Sequence, residues 1–180
     1  MSAMRLDTLL EGLATVEVGA ERVVEGLCLD SRRVRPGDAF IALAGASSHG
    51  LDHAASALAA GAVVVIYDSP APAGRTVPAG SIGVPALRTR LGWLVDRFYD
   101  RPSASLTVVG ITGTNGKTSS VQLLAQALQL GGQVAGSIGT LGAGLHGRLQ
   151  PGERTTPDVV AVHALLAGLR DEGATHVAME

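Results

Sequence analysis

Apolar and polar positions alternate along this chain in a way that predicts strands and helices in turn. Arg22 to Leu29 (RVVEGLCL) predicts one strand. Arg35-Pro36-Gly37-Asp38 predicts a tight turn, since Pro presets φ and Gly tolerates the left-handed region. Ala39 to Ala44 predicts a second strand. Asp52 to Ala60 is alanine-rich and predicts a helix closed by Gly61. The unbroken apolar run Ala62 to Tyr67 predicts a strand buried on both faces. The segment SPAPAGRTVPAG reads as a loop, and Ile82 to Val84 as a short strand. Ala86 to Asp100 predicts a helix with Leu87, Leu91, Leu94, Val95 and Phe98 along one stripe.

The rhythm changes after Asp100-Arg101-Pro102-Ser103, which reads as a linker. Leu106 to Ile111 predicts a strand, Lys117 to Leu130 a helix closed by Gly131-Gly132, and Gln133 to Ile138 another strand. The glycine-rich stretch from Gly139 to Gly152 suggests a hairpin. Pro157 to Glu172 predicts a helix, with Thr156-Pro157 as cap and first residue, and Ala174 to Met179 a last strand. This order predicts an α/β fold: a small domain over 1–102, then the start of a parallel-sheet domain over 103–180. Glu180 follows directly on an apolar strand, so a truncated second domain within a longer chain is expected. The first domain is then expected to be the more stable and protease-resistant of the two.

Composition narrows the classes. The chain is 46% hydrophobic and 17% charged, which predicts a globular fold. Its net charge of −2 offers no basic surface for nucleic acid or an anionic membrane. The longest apolar run, Ala54 to Tyr67, is too short for a transmembrane helix, and Asp7 and Glu11 stand where a signal peptide would be apolar. The single cysteine, Cys28, fits a reducing compartment, so a cytoplasmic protein is expected. The five histidines lack metal-ligand spacing; His163 and His176 read as packing or surface residues.

The chemistry concentrates in GITGTNGKTSS, Gly110 to Ser120. A strand runs into a glycine loop that opens a helix, the context in which backbone N–H groups cradle phosphate. Lys117 would supply a mobile positive charge, and the Thr118 hydroxyl could ligate Mg²⁺. The pattern G-x-x-x-x-G-K-[ST] is not met literally, because its first glycine would fall at Ile111. A plain glycine turn capped by Thr114 or Asn115 is the alternative. Lys117 is the only lysine, against 13 arginines, which favours a phosphate-directed role.

GTNGKT resembles the ATP loop of the Mur ligases, which build the peptidoglycan stem peptide. Leu29-Asp30-Ser31-Arg32, Pro36-Gly37-Asp38-Ala39-Phe40, Gly45 and His49-Gly50 resemble the family's N-terminal domain. Arg154-Thr155-Thr156-Pro157-Asp158 and Ala178-Met179-Glu180 resemble the branch that adds a diamino acid. The resemblance covers the whole chain. It implies an ATP-dependent ligase that joins meso-diaminopimelate or L-lysine to UDP-N-acetylmuramoyl-L-alanyl-D-glutamate through an acyl phosphate.

The resemblance also implies roles. Gly113, Thr114, Asn115, Gly116, Lys117, Thr118 and Ser119 would hold ATP, with Lys117 catalytic. Thr118 and Glu180 would face Mg²⁺. Leu29, Ser31, Ala46, Ser47 and Ser48 would hold the uridine nucleotide, and Thr155 and Thr156 the muramoyl-dipeptide. Arg154 stands where some relatives have Asn and is assigned no role. Each position has a structural alternative: Ser31 could close a turn, Thr156 could cap a helix, and Glu180 could simply be exposed. Amino-acid recognition in the family lies in a C-terminal domain, together with a modified lysine. This polypeptide alone is therefore expected to be inactive, and a monomer is expected. The alternatives are the family branch that adds D-alanyl-D-alanine, a P-loop kinase or GTPase switch, and a nucleotide-binding module without catalysis.

Overall fold

The structure is a computed structural model, and it describes residues 3–45, 48–151 and 157–180. The chain forms two compact units, Met1–Phe98 and Tyr99–Glu180, where the sequence pattern put the change of rhythm near residue 102.

In the first unit, β1 (Met4–Arg5) leads into a single helical turn, α1 (Leu6–Leu9), which buries Leu6 and Leu9. Four residues are too few for a periodic signal, so the sequence pattern did not reveal α1. The Arg97 guanidinium donates to the carbonyls of Leu9 and Glu11 at 2.9 and 2.8 Å, satisfying groups that a helix end leaves without partners. The strand expected over Arg22 to Leu29 is instead two. β2 (Val23–Val24) pairs antiparallel with β1, and β3 (Gly26–Cys28) joins a different sheet. The chain changes sheets at Glu25, whose N–H is taken by the Gly37 carbonyl at 2.9 Å. A Cβ on Gly26 would lie 2.3 Å from Asp38 Oδ1, so a side chain there would displace the Asp38 carboxylate.

The main sheet of this unit runs β3-β4-β5-β6, all parallel, with β4 at Asp38–Ala42, β5 at Val64–Ser69 and β6 at Ile82–Pro85. The expected helix from Asp52 starts later. A 3₁₀ turn over Gly50–His53 precedes α2 (Ala54–Ala59), because the His49 ring accepts from the Leu51 N–H and the Asp52 carboxylate from the His49 N–H, which tightens that turn. Phe40, Ala42, Leu51, Ala54, Ala57, Ala62 and Val65 form one core cluster. α3 (Leu87–Phe98) buries all five residues of its predicted stripe. All four strands run parallel, so their carboxyl ends share one edge.

The second unit starts with β7 (Thr107–Gly110), followed by α4 (Lys117–Leu130), β8 (Ala135–Gly139), β9 (Gly142–Leu145), α5 (Val159–Asp171) and β10 (His176–Met179). The sheet order is β7-β10-β8-β9. β7, β10 and β8 are parallel, and β9 turns back on β8 as the expected hairpin. The last strand therefore sits between the first two. α5 begins at Val159, not at Pro157. Asp158 is its cap, accepting from the Ala161 N–H at 2.9 Å, so the proposed Thr156-Pro157 cap is corrected. Leu166 and Leu169 of α5 pack with Leu106, Ile138, Leu145, Ala174 and Val177. Among the described residues, no helix is long and apolar enough to cross a membrane.

Candidate functional site

The register of the second unit fixes its site. Met179 pairs with Gly110 on one side and with Ile138 on the other. Glu180 therefore lies just past the end of the central strand, between the loop after β7 and the turn after β8. The Glu180 N–H donates to the Ile138 carbonyl at 3.0 Å, and the Ile111 N–H donates to the Met179 carbonyl at 2.8 Å. Ligands of open parallel sheets bind beyond the carboxyl ends of the strands, which is where these residues meet.

The loop from β7 to α4 ends at Gly116, the residue that starts the helix, at φ +76°. An L-residue rarely adopts that angle, so the position favours glycine. No side chain caps α4, and Thr114 and Asn115 do not play that part. The first N–H groups of a helix lack partners within it, so the start of α4 presents backbone donors. The Lys117 ammonium donates to the Gly113 carbonyl at 2.7 Å, arching back over the loop.

Thr114, Asn115, Gly116, Lys117, Thr118, Ser119, Thr140 and Glu180 line a cleft of about 330 Å³. Six of the seven residues assigned to ATP line it; Gly113 contributes through its carbonyl contact with Lys117. Both residues assigned to Mg²⁺, Thr118 and Glu180, are present. Thr140 was not anticipated. Its N–H donates to Glu180 Oε1 at 3.0 Å and its hydroxyl to Glu180 Oε2 at 3.1 Å. The Thr118 hydroxyl reaches the Thr140 hydroxyl at 3.5 Å. Partial burial pushes the Glu180 carboxyl up. Hydrogen bonds from the Thr140 N–H and the Thr118 and Thr140 hydroxyls, with the Lys117 charge, outweigh that and hold it below the usual carboxylate range. A hydroxyl and an ionised carboxylate are hard oxygen donors, of the kind Mg²⁺ prefers. Among the described residues no cluster of three His, Cys, Asp or Glu could hold a metal unaided. The donor set fits a cation that completes its shell with water and phosphate oxygens.

In the first unit, Leu29 and Ser31 follow the end of β3, and Ser48 follows the end of the adjacent β4. They share the carboxyl edge of the sheet. Asp30 accepts from the Arg32 N–H at 3.1 Å and opens the 3₁₀ turn that carries Ser31. The Arg32 guanidinium bonded to the Asp30 carboxylate lowers that carboxyl to about 2. Ser48 Oγ lies 3.1 Å from His53 Nε2. The loop is braced from three sides. Arg88 donates to the Ala44 carbonyl, the buried His49 ring accepts from the Leu51 N–H, and Arg75 pairs with Asp52 at 2.9 Å. A Cβ on Gly50 would come within 2.5 Å of Ala42 Cα, so the loop lies tight on β4. Ala46, Ser47, Arg154, Thr155 and Thr156 lie outside the described residues.

Two family descriptions match. Residues 23–99 match "Mur ligase family, catalytic domain" and residues 111–180 match "Mur ligase middle domain". A UDP-N-acetylmuramoyl-L-alanyl-D-glutamate–2,6-diaminopimelate ligase of Xanthomonas campestris pv. campestris is 55% identical over 178 residues. That match covers 99% of this chain and 35% of the relative. The chain thus spans about a third of the length of the curated relatives it matches. A solved structure of a ligase of the same description aligns over 100% of this chain and 36% of its own, with TM-score 0.79 and 27% identity. MurF from Acinetobacter baumannii aligns over 100% of this chain and 36% of its own, with TM-score 0.66 and 22% identity, a likeness of fold.

Proposed function

The chain belongs to the Mur ligase family, and we propose that it supplies the nucleotide-handling part of a diamino-acid-adding ligase. The substrates are UDP-N-acetylmuramoyl-L-alanyl-D-glutamate, ATP and a diamino acid. Diaminopimelate is favoured over lysine because the 55% identical relative carries it in its name. The reaction belongs to peptidoglycan precursor synthesis, which places the protein in the cytoplasm, and the chain acts as a monomer. The first unit would take the uridine nucleotide at the strand edge bearing Leu29 and Ser31, with Ala46, Ser47 and Ser48 also meeting it. The second would take ATP in the Gly113–Ser119 loop. Thr155 and Thr156 would meet the muramoyl-dipeptide.

The observation that carries the reading is the cleft, where an uncapped helix start and the chain's sole lysine face an ionised carboxylate. The donors at the start of α4 would orient the phosphates. On nucleotide binding, the Lys117 ammonium would leave the Gly113 carbonyl and follow the transferring phosphoryl group. A substrate carboxylate oxygen would then bond to the γ-phosphorus as ADP departs. The diamino acid's amine would attack the acyl carbon, the acyl C–O bond would break with its electron pair leaving on phosphate, and the nitrogen would lose a proton to solvent or to the departing phosphate. Thr118 and Glu180 would hold Mg²⁺, which would supply charge neutralisation at the phosphates.

The test is a chimera in which this chain replaces the matching third of the Xanthomonas campestris relative. It is expected to release phosphate only when dipeptide substrate, ATP and diaminopimelate are all present. Lys117→Ala in the chimera should slow release by about 10²–10³, the usual loss for one charge-stabilising donor. Near-parental turnover in that variant would defeat the reading.

A further inference from the structure

We infer that Thr140 is a positioning residue, which clamps the Glu180 carboxylate into the cation-facing orientation. This rests on the reading of the cleft as a site for nucleotide and Mg²⁺. Thr140 gives one hydrogen bond to each Glu180 oxygen, from its N–H at 3.0 Å and from its hydroxyl at 3.1 Å. A flexible glutamate at the end of a strand would otherwise sample several rotamers. Two bonds from one residue fix both the torsion and the plane of the carboxylate. The Thr118 hydroxyl, 3.5 Å from that of Thr140, ties the second oxygen donor to the same group. Outer groups that orient a ligating carboxylate tune metal affinity in this way.

Gly139 completes the clamp. A Cβ there would lie 2.5 Å from Glu180 Oε1 and 2.9 Å from Glu180 Cδ. The end of the Glu180 side chain therefore fills the space a Gly139 side chain would take, where the next residue, Thr140, holds it. Gly139 is not among the positive-φ residues, and the atoms a methyl group would meet belong to a movable side chain. Gly139→Ala should thus fold and push the carboxylate out of place.

The experiment measures Mn²⁺ binding to the chain in the presence of ADP, by the electron paramagnetic resonance of free Mn²⁺. ADP affinity is measured separately in EDTA, and melting curves confirm folding. Thr140→Ala and Gly139→Ala should each weaken Mn²⁺ binding about tenfold. Gly139 is not among the residues lining the cleft, so Gly139→Ala should leave ADP affinity in EDTA unchanged. Thr140→Ser, which keeps the hydroxyl, should restore Mn²⁺ binding. Wild-type Mn²⁺ affinity in Thr140→Ala would overturn the inference while leaving the nucleotide reading intact. So would an equal loss of ADP affinity in EDTA, which would mean that Thr140 touches the nucleotide. A wild-type chain that binds no ADP would overturn the nucleotide reading, and the inference with it.

Discussion

Gly116 starts α4 at φ +76°, and nothing lies within 4 Å of the place a Cβ would take. The cost of a side chain there is therefore conformational and not steric. Gly116→Ala should lower stability by about 1–2 kcal/mol, and Gly116→Asn by less, because Asn tolerates the left-handed region. A shifted denaturation midpoint at unchanged slope would show it. An unshifted midpoint would mean that the loop relaxes and that its shape is not imposed by glycine. At this scale the glycine loop between β7 and α4 was legible in the sequence, because its residues are adjacent in the chain and the lone lysine marks it. Thr140 was not legible. Its partner, Glu180, is forty residues on, and only the pairing of β8 with β10 brings the two together.

Elements were legible where periodicity runs long enough. The α3 stripe is one case, with five apolar residues over three turns, all buried. Elements failed where a local polar contact overrode the pattern. The strand expected over Arg22 to Leu29 breaks at Glu25 because its two halves find different partners, which no apolar pattern encodes. The start of α5 was misplaced for a related reason. Proline at the first helical position is a preference, whereas the Asp158 carboxylate meets the Ala161 N–H directly at 2.9 Å. Asp158→Ala should cost about 1 kcal/mol, read by urea denaturation, and Asp158→Asn close to nothing, since Asn caps equally well. Equal losses in the two variants would point to the charge of Asp158 and not to its cap.

At the scale of the whole molecule, the two units bury their apolar surface unequally. The first builds its sheet from β4 and β5, which hold Phe40, Ile41, Val64, Val65 and Ile66 at 1% exposure or less, and covers it with the five-residue stripe of α3. In the second, α4 buries only Val121 and Ala125 among fourteen residues, and Leu123 and Leu130 are 64% and 82% exposed. On β7, Thr107, Val109 and Gly110 are exposed. Hydrophobic stabilisation scales with the apolar area removed from water, so the first unit should open at the greater free-energy cost. Amide hydrogen exchange at neutral pH should be slowest in β4 and β5 and faster in α4 and β7. Added UDP should slow exchange in residues 28–31 and 43–53. ADP with Mg²⁺ should act instead at 110–120 and 138–141, each to the extent that its concentration exceeds its dissociation constant. Slower exchange in β7 than in β5 would contradict the stability ranking. Protection of 28–53 by ADP but not by UDP would reverse the assignment of the two nucleotides to the two units.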